Sequence, residues 1–182
     1  MYLDRSAFGE FPADRRAAPF IVDGTLRTGE PCGELTPVLW LTLRRYGLAV
    51  RGPAVDALDI PVDRAALRRY SLENLRDDWQ PIAAGIRRDL AAEPADAPVD
   101  GGDVAWCVLG PARLHTLAHG DVIAKAAAAT YLGRLFPQRG PLADRAVRWR
   151  AGHAETSTAT DLRAAGHSID TVVEDAWNRW AE

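Results

Sequence analysis

The sequence predicts a mainly α (α+β) protein, in which a C-terminal helical bundle follows a small N-terminal segment that contains β-strands. Two observations predict this fold class. Apolar residues recur at helical spacing from Asp63 to the end of the chain, with short polar joints between the periodic segments. Period-two alternation, typical of strands, is confined to brief stretches before that point. The 182 residues, of which 47% are hydrophobic, are enough to bury one ordinary core.

Residues 1–60 are predicted to form a partial α/β segment. Residues 2–8 alternate as a strand does, and residues 19–23 form a second short strand that ends at Gly24. Residues 25–33 are expected to be a loop or hairpin, because glycines and a proline supply its turn residues.

One helix is predicted in the same segment. Thr36 and Pro37 supply a capping hydroxyl and a proline at the first helical position, and the apolar run that follows stops at Gly47. Residues 48–50 are expected to be a brief edge strand, and residues 54–58 a single helical turn.

Residues 63–182 are predicted to be a separate helical domain. Asp63 can cap its first helix, and Pro81 is expected to kink or break that helix. A second arm covers residues 82–92. The stretch 93–102 is rich in Pro, Ala, Asp and Gly, which predicts a flexible linker.

The rest of this domain is predicted to be helical. Its joints are short, and short joints favour antiparallel neighbours, so we expect a compact bundle of roughly four to six helices. The remaining helices are predicted at about residues 104–118, 122–136, 141–150 and 161–180.

Charge, cysteine content and hydropathy exclude several classes of partner. A net charge of −3 gives no general attraction for a phosphate backbone, so nucleic acid is not expected as a partner. Cys32 and Cys107 have neither zinc-ligand nor disulfide-framework spacing. Without a signal peptide or the ~20 apolar residues of a membrane helix, we expect no membrane partner and a cytoplasmic location. The GxSxG, Walker, HExxH and GxGxxG signatures are absent.

The densest group of functional side chains lies around a polar joint at residues 119–121. His115, Asp121 and Lys125 could bind a small polar or cationic ligand or relay a proton. The pattern favours a structural alternative, in which Gly120 ends one helix, Asp121 caps the next and Lys125 lies on the solvent side. No metal site is expected, because this spacing supplies too few ligands.

Two aromatic residues flank the same region. Trp106 and Tyr131 could line a cavity that accepts a sugar ring, although aromatic residues are more often part of a core. Residues 126–129 are all alanine, and this smooth patch would let another helix or a flat ligand approach closely.

Residues 106–131 carry a family resemblance. Their sequence is WCVLGPARLHTLAHGDVIAKAAAATY, and together with LWLTLRRYGLAVRGP upstream it resembles the helical half of aminoglycoside nucleotidyltransferases. Such enzymes transfer AMP from ATP to a hydroxyl of an antibiotic such as streptomycin or spectinomycin. The resemblance implies that residues 63–182 correspond to the helical, substrate-binding domain and residues 1–60 to a remnant of the nucleotidyltransferase domain. It also implies ATP and magnesium as the family's cofactors.

The chain departs from the family pattern in two ways. It lacks the Gly-Ser turn and the Asp-x-Asp pair that the resemblance implies for phosphate and magnesium binding. Because nucleotidyl transfer depends on metal-held charge neutralisation, we expect no catalytic residue, no bound cofactor and no AMP transfer in this chain alone. In addition, Ala126 and Thr130 stand where streptomycin-modifying relatives are expected to carry acidic residues.

Three interpretations of function follow. In the first, the chain is a truncated or degenerate family member whose helical domain keeps a ligand-facing groove. In the second, it is a non-enzymatic ligand-binding or protein-interaction module, with a homo-oligomer or a partner chain completing the N-terminal sheet; an exposed sheet edge would favour it. In the third, Met1 is an internal start within a longer protein.

Overall fold

The computed structural model describes residues 17–181, in which seven α-helices accompany one two-stranded sheet. The predicted mainly α fold, with a small β-containing part, is therefore confirmed. The chain divides into two compact units, Met1–Tyr70 and Ser71–Glu182. The predicted strand at residues 2–8 lies outside the described residues.

A hairpin follows the start of the described chain. Strands β1 (Phe20–Val22) and β2 (Thr25–Arg27) pair antiparallel. Asp23 and Gly24 join them with φ angles of 48° and 75°. Positive φ at both central residues is typical of the type I′ turn, whose twist matches that of the strands and which Asp-Gly favours. The strand predicted at residues 19–23 and the hairpin are confirmed.

Helix α1 (Pro37–Tyr46) begins with a proline in its first turn, as predicted, but the Thr36 hydroxyl forms no capping hydrogen bond. The predicted single turn is present as a 3-10 turn at Val55–Ala57. This unit has a small core of its own, formed by Ala18, Cys32, Leu35, Trp40 and Ile60.

The predicted edge strand at residues 48–50 is wrong. Leu48 and Val50 are 89% and 98% exposed, and no strand pairs with them within residues 17–181. An apolar segment becomes a strand only where it has a backbone partner and a surface to bury, and this one has neither.

Helices α2 (Arg64–Asn74) and α3 (Gln80–Asp89) run on through a π turn at Leu75–Trp79. The Asp63 carboxylate caps α2 as predicted, since it accepts two backbone N–H groups at 2.8 and 3.0 Å. The predicted kink or break at Pro81 does not divide the helix, because the chain passes from α2 into α3 through this π turn. Pro81 consequently lies in the first turn of α3, where the N–H that it lacks is not needed.

The segment at residues 93–102, predicted to be a flexible linker, is instead anchored to the chain around the start of the last helix. The Val99 N–H donates to the Ser157 carbonyl at 3.1 Å, and the Ser157 hydroxyl donates to the Val99 carbonyl at 2.6 Å. The N–H groups of Ala159 and Thr160 donate back to the segment at 2.8 and 3.0 Å. Composition predicted flexibility because it carries no information about these distant partners.

The second unit is a helical bundle, as predicted. Helix α4 lies at its centre and packs against α5, α6 and α7, while α3 packs against α7. The four helices after the anchored segment are α4 (Gly101–Ala118), α5 (Lys125–Leu135), α6 (Gly140–Arg150) and α7 (Ala159–Trp180). Within residues 17–181, no helix is both long and apolar enough to cross a membrane.

Candidate functional site

The joint between α4 and α5 is a Schellman motif. Gly120 has a φ of 95°, and its N–H donates to the Leu117 carbonyl at 2.8 Å. The Asp121 N–H donates to the Thr116 carbonyl at 3.0 Å. This pair of bonds satisfies the last carbonyls of α4, so the prediction that Gly120 ends the helix is confirmed.

The prediction that Asp121 caps the next helix is wrong. Helix α5 begins only at Lys125, and its capping position is Ala124, which offers no side-chain acceptor. The Asp121 carboxylate accepts the N–H of its neighbour Val122 at 2.7 Å. Val122, which lies between the joint and α5, is buried. The first N–H groups of α5 therefore lack a side-chain cap.

Three cationic side chains from three helices act on one another electrostatically near the start of α5. We call Arg113 of α4, Lys125 of α5 and Arg150 of α6 the basic cluster. Burial lowers the pKa of the Lys125 amine, and the charges of Arg150 and Arg113 lower it further. Burial likewise lowers the pKa of Arg113, with a smaller contribution from Arg150. The three charges are thus close enough to repel one another.

Within residues 17–181, no carboxylate forms a salt bridge with Arg113, Lys125 or Arg150. The Arg113 Nε donates to the Ile123 carbonyl at 3.0 Å, while Lys125 and Arg150 form no hydrogen bond or ion pair there. Arginines elsewhere in the bundle do pair with acids, as Arg145 does with Asp161. Like charges held together without a counter-ion destabilise the fold, and a bound anion would relieve that repulsion.

A hydrogen-bonded chain of side chains links α5, α4 and α7. His115 is 1% exposed, and its Nε2 lies 2.8 Å from Asp175 Oδ2. Because a carboxylate only accepts, the neutral ring carries its proton on Nε2, which leaves Nδ1 to accept the Tyr131 hydroxyl at 2.5 Å. Asp175 also accepts Arg179 Nε at 2.5 Å. We call Tyr131, His115 and Asp175 the histidine chain.

The surroundings of the histidine chain shift its pKa values. Burial lowers the pKa of His115, outweighing the opposite effect of Asp175, so the ring is neutral at pH 7. Burial also raises the pKa of Tyr131 to about 12. For Asp175, burial acts to raise the pKa, but the hydrogen bonds from Arg179 and His115 together outweigh it and the pKa is lowered.

One side of α4 carries a partly exposed stripe, which the Trp79 ring covers at Gly110 and which ends in the basic cluster. The α4 stripe consists of Asp103, Trp106, Gly110 and Arg113, which recur at helical spacing. Trp106 is 48% exposed, and its ring centroid lies 4.4 Å from that of Trp79. Trp106 and Arg113 lie two turns apart on the same side of the helix, about 10 Å along its axis.

Of the residues proposed from the sequence, the structure brings Tyr131 and His115 into contact and places Lys125, Trp106 and Asp121 elsewhere. Tyr131 contacts His115, and Lys125 lies in the basic cluster at the start of the same helix, α5. Trp106 is nine residues from His115, a spacing that places the two on opposite sides of α4. Asp121 lies in the joint between α4 and α5.

Three further residues of the site escaped the sequence analysis. The seven-residue spacing from Trp106 could have identified Arg113 as a member of the same helical face. The basic cluster also contains the only lysine in the chain, which is a compositional signal. Arg150 and Asp175 reach the site through tertiary packing, and their local sequence carries no such signal.

Comparisons with models of known protein families, with curated proteins and with solved structures find no match. Among residues 17–181, no group of three or more His, Cys, Asp or Glu side chains is placed to hold a metal ion.

Proposed function

We propose that this chain binds the polyphosphate of a nucleotide together with a cationic acceptor, as the substrate-binding portion of a protein that resembles aminoglycoside adenylyltransferases. The observation that carries the proposal is the α4 stripe. One end presents the Asp103 carboxylate and the exposed Trp106 indole. The other end is Arg113 of the basic cluster, whose three cations form no salt bridge with an acid in the described part of the chain.

The basic cluster suits a polyphosphate. Two guanidinium groups can each donate two parallel hydrogen bonds to phosphate oxygens, and the lysine adds a compact charge. The adjoining first turn of α5 has no side-chain cap, and its exposed Ala126 and Ala127 leave the backbone N–H groups accessible. Such N–H groups, at the positive end of a helix, attract anions.

The opposite end of the α4 stripe suits a cation. The exposed ring of Trp106 can stack on a saturated ring or face an ammonium group, and Asp103 lies one turn away on an exposed part of the helix. A cationic aminocyclitol combines both features. The acceptor and the phosphates would then bind about two helical turns apart on α4.

The proposal concerns binding and not turnover, because the chain contains neither a Gly-Ser turn nor an Asp-x-Asp pair. In a family enzyme, magnesium held by the carboxylate pair supplies the charge neutralisation for AMP transfer. In this chain, Arg113, Lys125 and Arg150 would hold and orient the phosphates.

Calorimetric titration with tripolyphosphate and with ATP tests this proposal. We expect Lys125→Met and Arg150→Ala each to weaken binding by about ten-fold, since hydrogen bonds to charged groups contribute about 1.5 kcal/mol. Arg134→Ala is the matched control, because Arg134 is an exposed cation of α5 outside the cluster.

Two results would overturn the proposal. One is that Arg134→Ala weakens binding as much as Lys125→Met, which would show a general charge effect. The other is that the wild-type chain binds neither ligand. That outcome would favour the interaction module instead, and its candidate surface would be the half-exposed apolar side chains of the hairpin, Ile21, Val22 and Leu26.

A further inference from the structure

We infer that the histidine chain holds α5 at the rotation in which Lys125 meets Arg113 and Arg150. Tyr131, His115 and Asp175 are on this view positioning residues for the polyphosphate site. The inference rests on the proposed function of the basic cluster.

Helix α5 needs such a restraint because its buried face is smooth. The residues that it buries are Ala128, Ala129 and Leu132, so two of the three have only a methyl group. Helices fix their mutual rotation by fitting side-chain ridges into grooves, and alanines offer shallow ridges. Apolar packing, which includes contact with α6 as well as α4, therefore restrains the rotation and shift of α5 less than larger side chains would.

Two hydrogen bonds to α4 supply the missing restraint. Arg113 Nε binds the Ile123 carbonyl at 3.0 Å and so holds the segment before α5. The Tyr131 hydroxyl binds His115 Nδ1 at 2.5 Å and holds the middle of the helix. Lys125 lies between these two points along the chain, and the points attach to opposite sides of α4, at Arg113 and His115. Releasing the second point frees α5 to turn.

His115 is itself too buried to touch a ligand. Its ring is 1% exposed and packs edge-on against Trp180, with ring centroids 4.7 Å apart. Asp175 of α7 fixes its orientation, and Arg179 holds that carboxylate in turn. Asp175 of α7 therefore sets the direction in which His115 Nδ1 can accept a hydrogen bond. Side chains of α4, α5 and α7 thus form one network. His115 acts on the basic cluster only through Tyr131.

Tyr131→Phe tests the inference, because it removes the hydroxyl and keeps the ring. The first measurement is the pKa of Lys125 without ligand, which NMR of the dimethylated amine gives directly, since the chain has one lysine. We expect this pKa to rise toward the ordinary lysine value of 10.5 as Lys125 becomes more exposed and moves away from the two arginines. The second is tripolyphosphate affinity, which should fall by about five-fold, as the loss of one hydrogen bond predicts.

Ser157→Ala is the matched control. Ser157 is also buried and donates one hydroxyl hydrogen bond, to the Val99 carbonyl, but it ties residues 93–102 to the chain before α7. A loss of stability without any change in the Lys125 pKa or in affinity is expected. Asp175→Asn, which keeps an acceptor for His115 but removes the charge, should shift both quantities in the same direction as Tyr131→Phe, by less.

An unchanged Lys125 pKa in Tyr131→Phe and Asp175→Asn would overturn the inference, as would an equal shift in Ser157→Ala. If the wild-type chain fails to bind tripolyphosphate, the proposed function fails. The pKa comparison needs no ligand, and it would still decide whether the histidine chain positions Lys125.

Discussion

A single absent side chain, at Gly110, allows Trp79 to lie against α4. A Cβ atom built at Gly110 would lie 2.5 Å from the Trp79 ring, which is closer than real Cβ contacts. Trp79 in turn supports Trp106 of the α4 stripe. One glycine thus sets the shape of the acceptor end of the proposed site.

Gly110→Ala should destabilise the protein by about 1–3 kcal/mol, because overpacking forces the indole or the helix to shift. Gly85→Ala is the matched control. Gly85 also lies inside a helix, but its nearest atoms are the flexible ends of Arg88 and Asp89, at 3.7 and 4.0 Å. That substitution should instead stabilise by about 0.5–1 kcal/mol, through helix propensity. Urea unfolding measures both, and equal effects at the two positions would refute this account.

At the scale of elements, the helices of the bundle were predictable because their signals are local. Periodic apolar residues and short joints placed α4, α6 and α7 within about three residues of their observed ends. Three features were not predictable. Residues 48–50 lack a strand partner, residues 93–102 have partners in the 157–160 segment, and a buried residue lies between Asp121 and the helix. Each depends on tertiary contacts that no local window contains.

The site divides in the same way. Lys125, His115 and Tyr131 could be proposed from the sequence because they lie near one joint. Their charged partners Arg150 and Asp175 come from α6 and α7, and only the packing of those helices brings them close. The sequence therefore predicted some residues of the proposed site, but it did not predict the clustering of their charges.

The anchored segment gives a prediction at this scale. Amide hydrogen exchange should be at least about ten-fold slower at Val99, Ala159 and Thr160 than at Leu48 and Val50. The first three amides donate to backbone carbonyls across the anchored segment, and the last two belong to highly exposed residues outside any strand. NMR exchange rates of the native protein provide the comparison. Similar exchange rates in both groups would instead support the prediction that residues 93–102 are flexible.

At the scale of the whole molecule, the buried histidine couples stability to pH. The pKa of His115 in the folded protein lies below its ordinary value of 6.5, so the unfolded chain takes up the proton first as the pH falls. The stability due to the neutral ring is complete above about pH 6.5 and is lost progressively below it. The lowered pKa of Asp175 adds a second loss, which begins as the pH falls through 3.8.

We therefore expect the free energy of unfolding to fall between pH 7.5 and pH 5, and the His115→Gln variant to lose most of this dependence. His153→Gln serves as the control, since His153 is exposed. Urea titrations at a series of pH values measure the slope. A wild-type slope that His115→Gln leaves intact would assign the effect to other groups.

The only lysine of the chain has a further consequence for how α5 opens. A lysine-specific protease can cut this polypeptide at one place, the bond between Lys125 and Ala126, and that bond lies in the first turn of a helix. Cleavage requires this turn to unwind, so the rate of cleavage reports how often the turn is open. An anion seated on the N–H groups of this turn would protect the bond, and a digestion time course would register its occupancy without any label.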